Sequence, residues 1–156
     1  MASLFNPDQE LRFTRSRQAT YFALLSAILF SAFVTLLVTF TTVYYEFGTV
    51  KDLPYTVLWL PVLLMLTVIS GGWSYHCLTK PYVILSPMGV EIFPFLKPLK
   101  NFQIIEWGRI VEIETAPKRV TLHFNSQKSS GVVFTLNPMS DKSQKLLLEA
   151  LRGVKL

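Results

Sequence analysis

Cysteine is nearly missing from this chain. Cys77 stands alone among 156 residues, so no disulfide can form within it, as suits a reducing compartment. Histidine is almost as scarce, with His76 and His123, and a metal centre usually draws three or four ligands from the protein. The His76-Cys77 pair therefore reads as interfacial side chains rather than a metal, haem or pigment site, and no cofactor is expected. There is no glycine-rich phosphate loop, no Ser-His-acid set and no pocketed pair of carboxylates, which points away from an enzyme and from a small-molecule substrate. The formal charge of +5 comes without an aromatic stacking surface, so nucleic acid is not an expected partner.

The most telling shortage is charge itself. From Gln18 to Tyr45 run 28 residues without Lys, Arg, Asp or Glu, and from Leu53 to Thr79 another 27. A helix of about 20 apolar residues crosses a hydrocarbon core roughly 30 Å thick, so each run is long enough to span a bilayer. The short polar segment from Glu46 to Asp52 between them makes the pair a helical hairpin, with spans at about 20–45 and 53–78. A chain of this size then holds a cytoplasmic N-terminal arm (1–17), the hairpin (18–79) and one small domain (80–156).

Orientation follows from the basic residues. Arg12, Arg15 and Arg17 precede the first span, Lys51 is the only cation in the hairpin loop, and 11 basic against 6 acidic residues follow from Lys80 onward. Both termini are expected in the cytoplasm, with the inner (cytoplasmic) membrane as the location. Tyr44, Tyr45 and Tyr55 fit the outer interface, and Tyr21, Trp73 and Tyr75 the inner one. The first apolar run exceeds the 7 to 15 residues or so of a signal-peptide core and lacks a small-residue cleavage site, so it reads as an uncleaved anchor.

Within the spans, Ala23, Ala27 and Ser31 recur every four residues, and Ser70, Gly71, Gly72 and Ser74 are small as well. Close packing of these two small stripes is the expected helix contact, leaving Phe22, Leu29, Phe30, Phe33, Leu36 and Phe40 for lipid or another subunit. Pro61 is expected to kink the second span near its outer end. The charge-free cores argue against an ion path or proton relay.

After Pro81 the periodicity shortens to two residues. Strands are expected at Tyr82–Ser86, Val90–Phe93, Phe102–Glu106, Val111–Glu114, Val120–Phe124 and Val132–Leu136, antiparallel and joined by short turns. Ser140 and Asp141 then carry helix-start chemistry, and Leu147, Ala150, Leu151 and Val154 line one face of a closing helix. Leu148 lies off that stripe as a candidate contact residue. The arm from Met1 to Arg17 reads as an amphipathic or irregular segment, either a topology-setting flank or a surface-lying contact.

The run Tyr82-Val83-Ile84-Leu85-Ser86-Pro87-Met88-Gly89-Val90, the step Ile104-Ile105-Glu106-Trp107-Gly108-Arg109-Ile110, and the closing helix together resemble the bacterial pleckstrin-homology-like (PH-like) domains found just after membrane spans. The resemblance covers Thr79 to Leu156 and implies an α+β membrane protein: a bent antiparallel sheet capped by a C-terminal helix, preceded by a two-helix transmembrane hairpin. It implies seven strands where six are read here, with the stretch from Pro94 to Asn101 as the place for the seventh. The phosphoinositide grip of some eukaryotic relatives of that fold does not carry over, because the first hairpin turn, Pro87-Met88-Gly89, has no basic residue.

Two contact sets remain. Phe93, Phe95, Leu96 and Leu99, more apolar than a free loop, are candidates for docking a partner, dipping into the bilayer or covering their own core; Leu148 joins the docking set. Arg12, Arg15, Arg17, Lys97, Lys100, Lys118 and Arg119 are candidate contacts for anionic lipid headgroups. The expected role is a non-catalytic scaffold, an accessory subunit stabilising a larger membrane complex of respiration, photosynthesis, transport or secretion. The alternative is a free-standing sensor or adapter for anionic lipid or a peptide. The expected partners are membrane lipids and integral membrane proteins.

Overall fold

A computed structural model describes residues 10–47, 55–95 and 102–154. The chain divides into two compact units, one made of Met1–Gln18 with Cys77–Leu156, the other of Ala19–His76.

The second unit belongs to two helices, α1 (Ser16–Phe47) and α2 (Trp59–Thr79). Both are long and apolar enough to cross a membrane by length and composition. Their contact face differs from the expected one. Ala19, Phe22, Ser26, Leu29, Phe33, Leu36 and Phe40 are the covered positions along α1, at alternating spacings of three and four, whereas Ala23, Ala27 and Ser31 are exposed. On α2 the covered positions include Leu63, Thr67, Ser70, Gly71 and Ser74, while Gly72 is exposed. The physical reason is complementarity: one small stripe suffices for close approach, and the large side chains of the other helix fill the grooves beside it. Ser26 Oγ donates to the Thr67 carbonyl at 3.1 Å and Ser74 Oγ to the Ala19 carbonyl at 2.9 Å. Phe22 meets Trp73 edge-on at 5.4 Å between ring centroids. Pro61 lies in the first turn of α2, where the backbone N–H has no intrahelical partner to lose, so the expected kink has no cause there.

Among the described residues the first unit holds seven strands in two antiparallel sheets and a closing helix. One sheet has the order β1-β2-β3-β4, from β1 (Leu11–Thr14), β2 (Pro81–Ser86), β3 (Gly89–Ile92) and β4 (Gln103–Glu106). The other has the order β5-β6-β7, from β5 (Glu112–Ala116), β6 (Arg119–His123) and β7 (Gly131–Thr135). The six strands read from periodicity are present within a residue or two of their expected limits. The seventh comes from upstream of both long helices: Leu11 pairs with Leu85, Arg12 with Ile84 and Phe13 with Val83. The arm is thus a strand in its last residues, because Phe13 has a core to enter and is 7% exposed. Of the stretch proposed for that strand, 96–101 lies outside the described residues.

The register slips between Phe13 and Thr14, which pairs with Pro81 and leaves Tyr82 as a bulge. Tyr82 Oη donates to the Thr135 carbonyl at 2.9 Å, tying β2 to β7. Val83, Leu85, Val90, Ile105, Val120, Leu122 and Phe134 from the strands meet Leu147, Ala150 and Leu151 of α3 (Asp141–Gly153) in one core. Each of these side chains larger than alanine contributes roughly 1.5–3 kcal/mol by leaving water. Leu136 and Met139, fully buried, carry the chain from β7 to α3. Ser140 caps that helix by accepting from the Ser143 N–H, as its sequence position predicts. Leu148 is partly buried, packed against the core. Trp107 opens a short turn after β4, its Nε1 donating to the Ser86 carbonyl at 3.0 Å, and Ile110 at the end of the turn is buried.

Candidate functional site

β1 and β4 are the two edges of the four-stranded sheet, and the β4 edge is the more apolar. Phe102 and Ile104 are 44% and 46% exposed there. Beside them runs a groove of about 270 Å³ lined by Gln103, Ile104, Ile105, Arg109, Phe124 and Val132. The guanidinium of Arg109 lies 5.7 Å over the Phe124 ring, and no carboxylate is in ion-pair range of it among the described residues. An unpaired strand edge with exposed aliphatic side chains is the geometry that accepts an added strand. Sequence reading missed this groove because Ile104 and Phe124 each look like alternating core residues until the sheets' mutual placement leaves them at an opening.

A second feature lies where the chain enters α1 and leaves α2. Arg15 Nη2 donates to the Phe93 carbonyl at 2.8 Å, and its guanidinium sits 4.0 Å over the Tyr82 ring and 5.7 Å from that of Phe95. Its backbone N–H donates to the Cys77 carbonyl at 3.2 Å. Burial pulls the Arg15 pKa below the ordinary arginine value, opposed by Tyr82. The same burial pushes the Tyr82 phenol up, with Arg15 opposing. Next to it, the Arg17 and Gln18 N–H groups share the Pro138 carbonyl, and Ser16 Oγ accepts from the Ser140 N–H.

The basic candidates scatter rather than converge. Arg12 pairs with Glu10 at 2.7 Å on the exposed edge, and Arg17 pairs with Asp141. Lys118 and Arg119 are exposed at the β5–β6 turn. Lys97 and Lys100 lie outside the described residues, as do Leu96 and Leu99. Phe93 and Phe95 are half-buried: the Phe93 ring stacks on Phe102 at 5.8 Å and Phe95 stands beside Arg15. Each ring thus has a neighbour within the β unit.

Elsewhere, His123 Nε2 and Glu114 Oε2 are 3.1 Å apart, and this hydrogen bond is the chief reason the Glu114 carboxyl is held below its ordinary value. Among the described residues no group of three or more His, Cys, Asp and Glu side chains gathers to hold a metal. Comparison with protein-family models, with curated proteins and with solved structures found no match, so the reading of function rests on geometry and chemistry.

Proposed function

We propose that this chain is a non-catalytic scaffold of a membrane, in which a PH-like domain is built from the chain on both sides of a two-helix transmembrane hairpin. The observation that carries the reading is the pairing of β1 with β2. These strands flank the two apolar helices in sequence, so a single β unit grips the chain on both sides of them. Two crossings bring the chain back to the side it left, as this pairing requires; cleavage after the first helix would remove an edge strand and Phe13 from the core. The sheets of four and three strands with a C-terminal helix support the PH-like assignment. The basic flanks favour a cytoplasmic domain at the inner membrane, as in a bacterium.

In this reading the domain works as an accessory subunit of a larger membrane complex, and the β4 edge receives an extended apolar segment of a partner protein. A carboxylate on that segment would meet Arg109, and side chains at alternate positions would fill the groove beside Ile104, Phe124 and Val132. A photo-crosslinking residue placed at Ile104 should give one discrete heavier species in native membranes, whereas the same residue at exposed Glu149 on α3 should not. Ile104→Glu should release the protein from its assembly on a native gel. A small monodisperse species, unchanged by Ile104→Glu and free of crosslinks, would overturn the reading and favour a free-standing sensor of lipid or peptide.

A further inference from the structure

Buried charges in proteins are paired, and a guanidinium offers five donors. Arg15 is half-buried, yet among the described residues a single side-chain donor, on Nη2, is used, by a neutral carbonyl. The groups facing it are the Tyr82 and Phe95 rings, the Phe93 carbonyl and Cys77; no carboxylate is in ion-pair range among the described residues. Arg12 and Arg17, by contrast, each have an acid of their own. The Tyr82 bulge lies where an aromatic face meets Arg15, and exposed Lys80 and Arg15 are the residues just beyond the last paired position, Thr14 with Pro81. Arg15 directly precedes α1 and Lys80 directly follows α2, the positions at which the ends of membrane-spanning helices meet headgroups.

We propose that Arg15, with Lys80 beside it, holds the phosphate of an anionic lipid headgroup at the point where the chain enters and leaves the bilayer. The inference rests on the reading that α1 and α2 span a membrane. The rings of Tyr82 and Phe95 flank the guanidinium, so that its remaining N–H groups present a fork to phosphate oxygens, and Lys80 adds a second positive charge from the bend between α2 and β2. The lipid then becomes a neutralising cap on a cation that the fold has taken partly out of water.

The test uses the full chain in phosphatidylcholine nanodiscs, titrated with phosphatidylglycerol while the thermal midpoint is followed. The midpoint of the wild type should rise with phosphatidylglycerol. Arg15→Gln and Lys80→Gln should each weaken the apparent affinity about fivefold or more, the expected effect of one interfacial cation, while Arg12→Gln should leave it unchanged. Arg15→Lys should recover part of the loss, since it returns charge without the fork. Protection of the Cys77 thiol from maleimide reports whether Arg15→Gln still folds, and exposed Lys80 gives a variant with no side chain in the core. Equal responses in wild type, Arg15→Gln and Lys80→Gln would overturn the proposal. The same midpoint rise with inorganic phosphate in place of lipid would make this a soluble-anion site and overturn it too. Release of the protein from membranes by alkaline carbonate would instead overturn the membrane reading beneath it.

Discussion

Replacing Phe13 by alanine should loosen a domain whose other strands all lie beyond the two apolar helices. Phe13 is 7% exposed and belongs to the same core as Val83, Leu85 and Leu147. Truncating a buried phenylalanine costs roughly 3–5 kcal/mol, from lost transfer energy and the cavity left behind. Domains of this size are stable by about 5–15 kcal/mol in all, so the variant should forfeit roughly a fifth of its stability or more. With a urea dependence of roughly 1–1.5 kcal/mol per molar for so small a unit, the midpoint should fall by at least about 2 M. Cys77 supplies the assay: its thiol is 1% exposed and is the only one in the chain, so pulsed maleimide labelling of the purified protein in mild detergent reads unfolding directly. Arg12→Ala is the matched control, because Arg12 is exposed and pairs only with its neighbour Glu10, an arrangement worth little. A labelling midpoint in Phe13→Ala equal to that of Arg12→Ala would refute the β1–β2 clasp, and with it the claim that residues upstream of α1 help build the β unit.

Three further outcomes follow from single contacts. A Cβ at Gly89 would run into the Ile105 backbone carbonyl on β4, so Gly89→Ala should destabilise the β unit by about 1–3 kcal/mol in the same labelling assay; an unchanged midpoint would contradict the β3–β4 register. A Cβ at Gly71 would touch Ser26 Oγ at 3.4 Å, whereas at Gly72 nothing lies within 4 Å. Gly71→Leu should therefore lower the helical melting temperature followed by circular dichroism, and Gly72→Leu should not; equal effects would argue for a different α1–α2 face. Glu114, held low chiefly by the His123 hydrogen bond, contributes stability that is full above its ordinary value of 4.5 and is lost as pH falls through the depressed folded value. Glu114→Gln should accordingly narrow the gap to wild type on acidification from neutral pH, and a gap independent of pH would rule out this linkage.

The two apolar helices, the six strands after Pro81 and the capped closing helix could all be read from sequence, because each depends on a local period or a local cap. Charge-free runs of 28 and 27 residues define the helices whatever surrounds them. Alternation such as Val111-Glu112-Ile113-Glu114 defines a half-buried strand, and Ser140 before α3 defines a cap. The face of a helix is a weaker signal. The small stripe at Ala23, Ala27 and Ser31 is as regular as the Ala19, Phe22, Ser26 and Leu29 stripe that does the packing, and only the partner helix distinguishes them.

What needed the tertiary structure was every pairing across the helices. Leu11-Arg12-Phe13-Thr14 alternates like a strand, but four residues are too few to identify one until β2 offers its edge and the core offers space for Phe13. The Tyr82 bulge, the seat of Arg15 and the β4 groove arise from that same long-range pairing and from how two sheets meet. Which segments are apolar, which alternate and which are capped follows from side-chain hydrophobicity and backbone period alone. That the residues before α1 complete the sheet that follows α2 emerges in the folded chain, because strand pairing is set by backbone hydrogen bonds between segments that no local pattern connects.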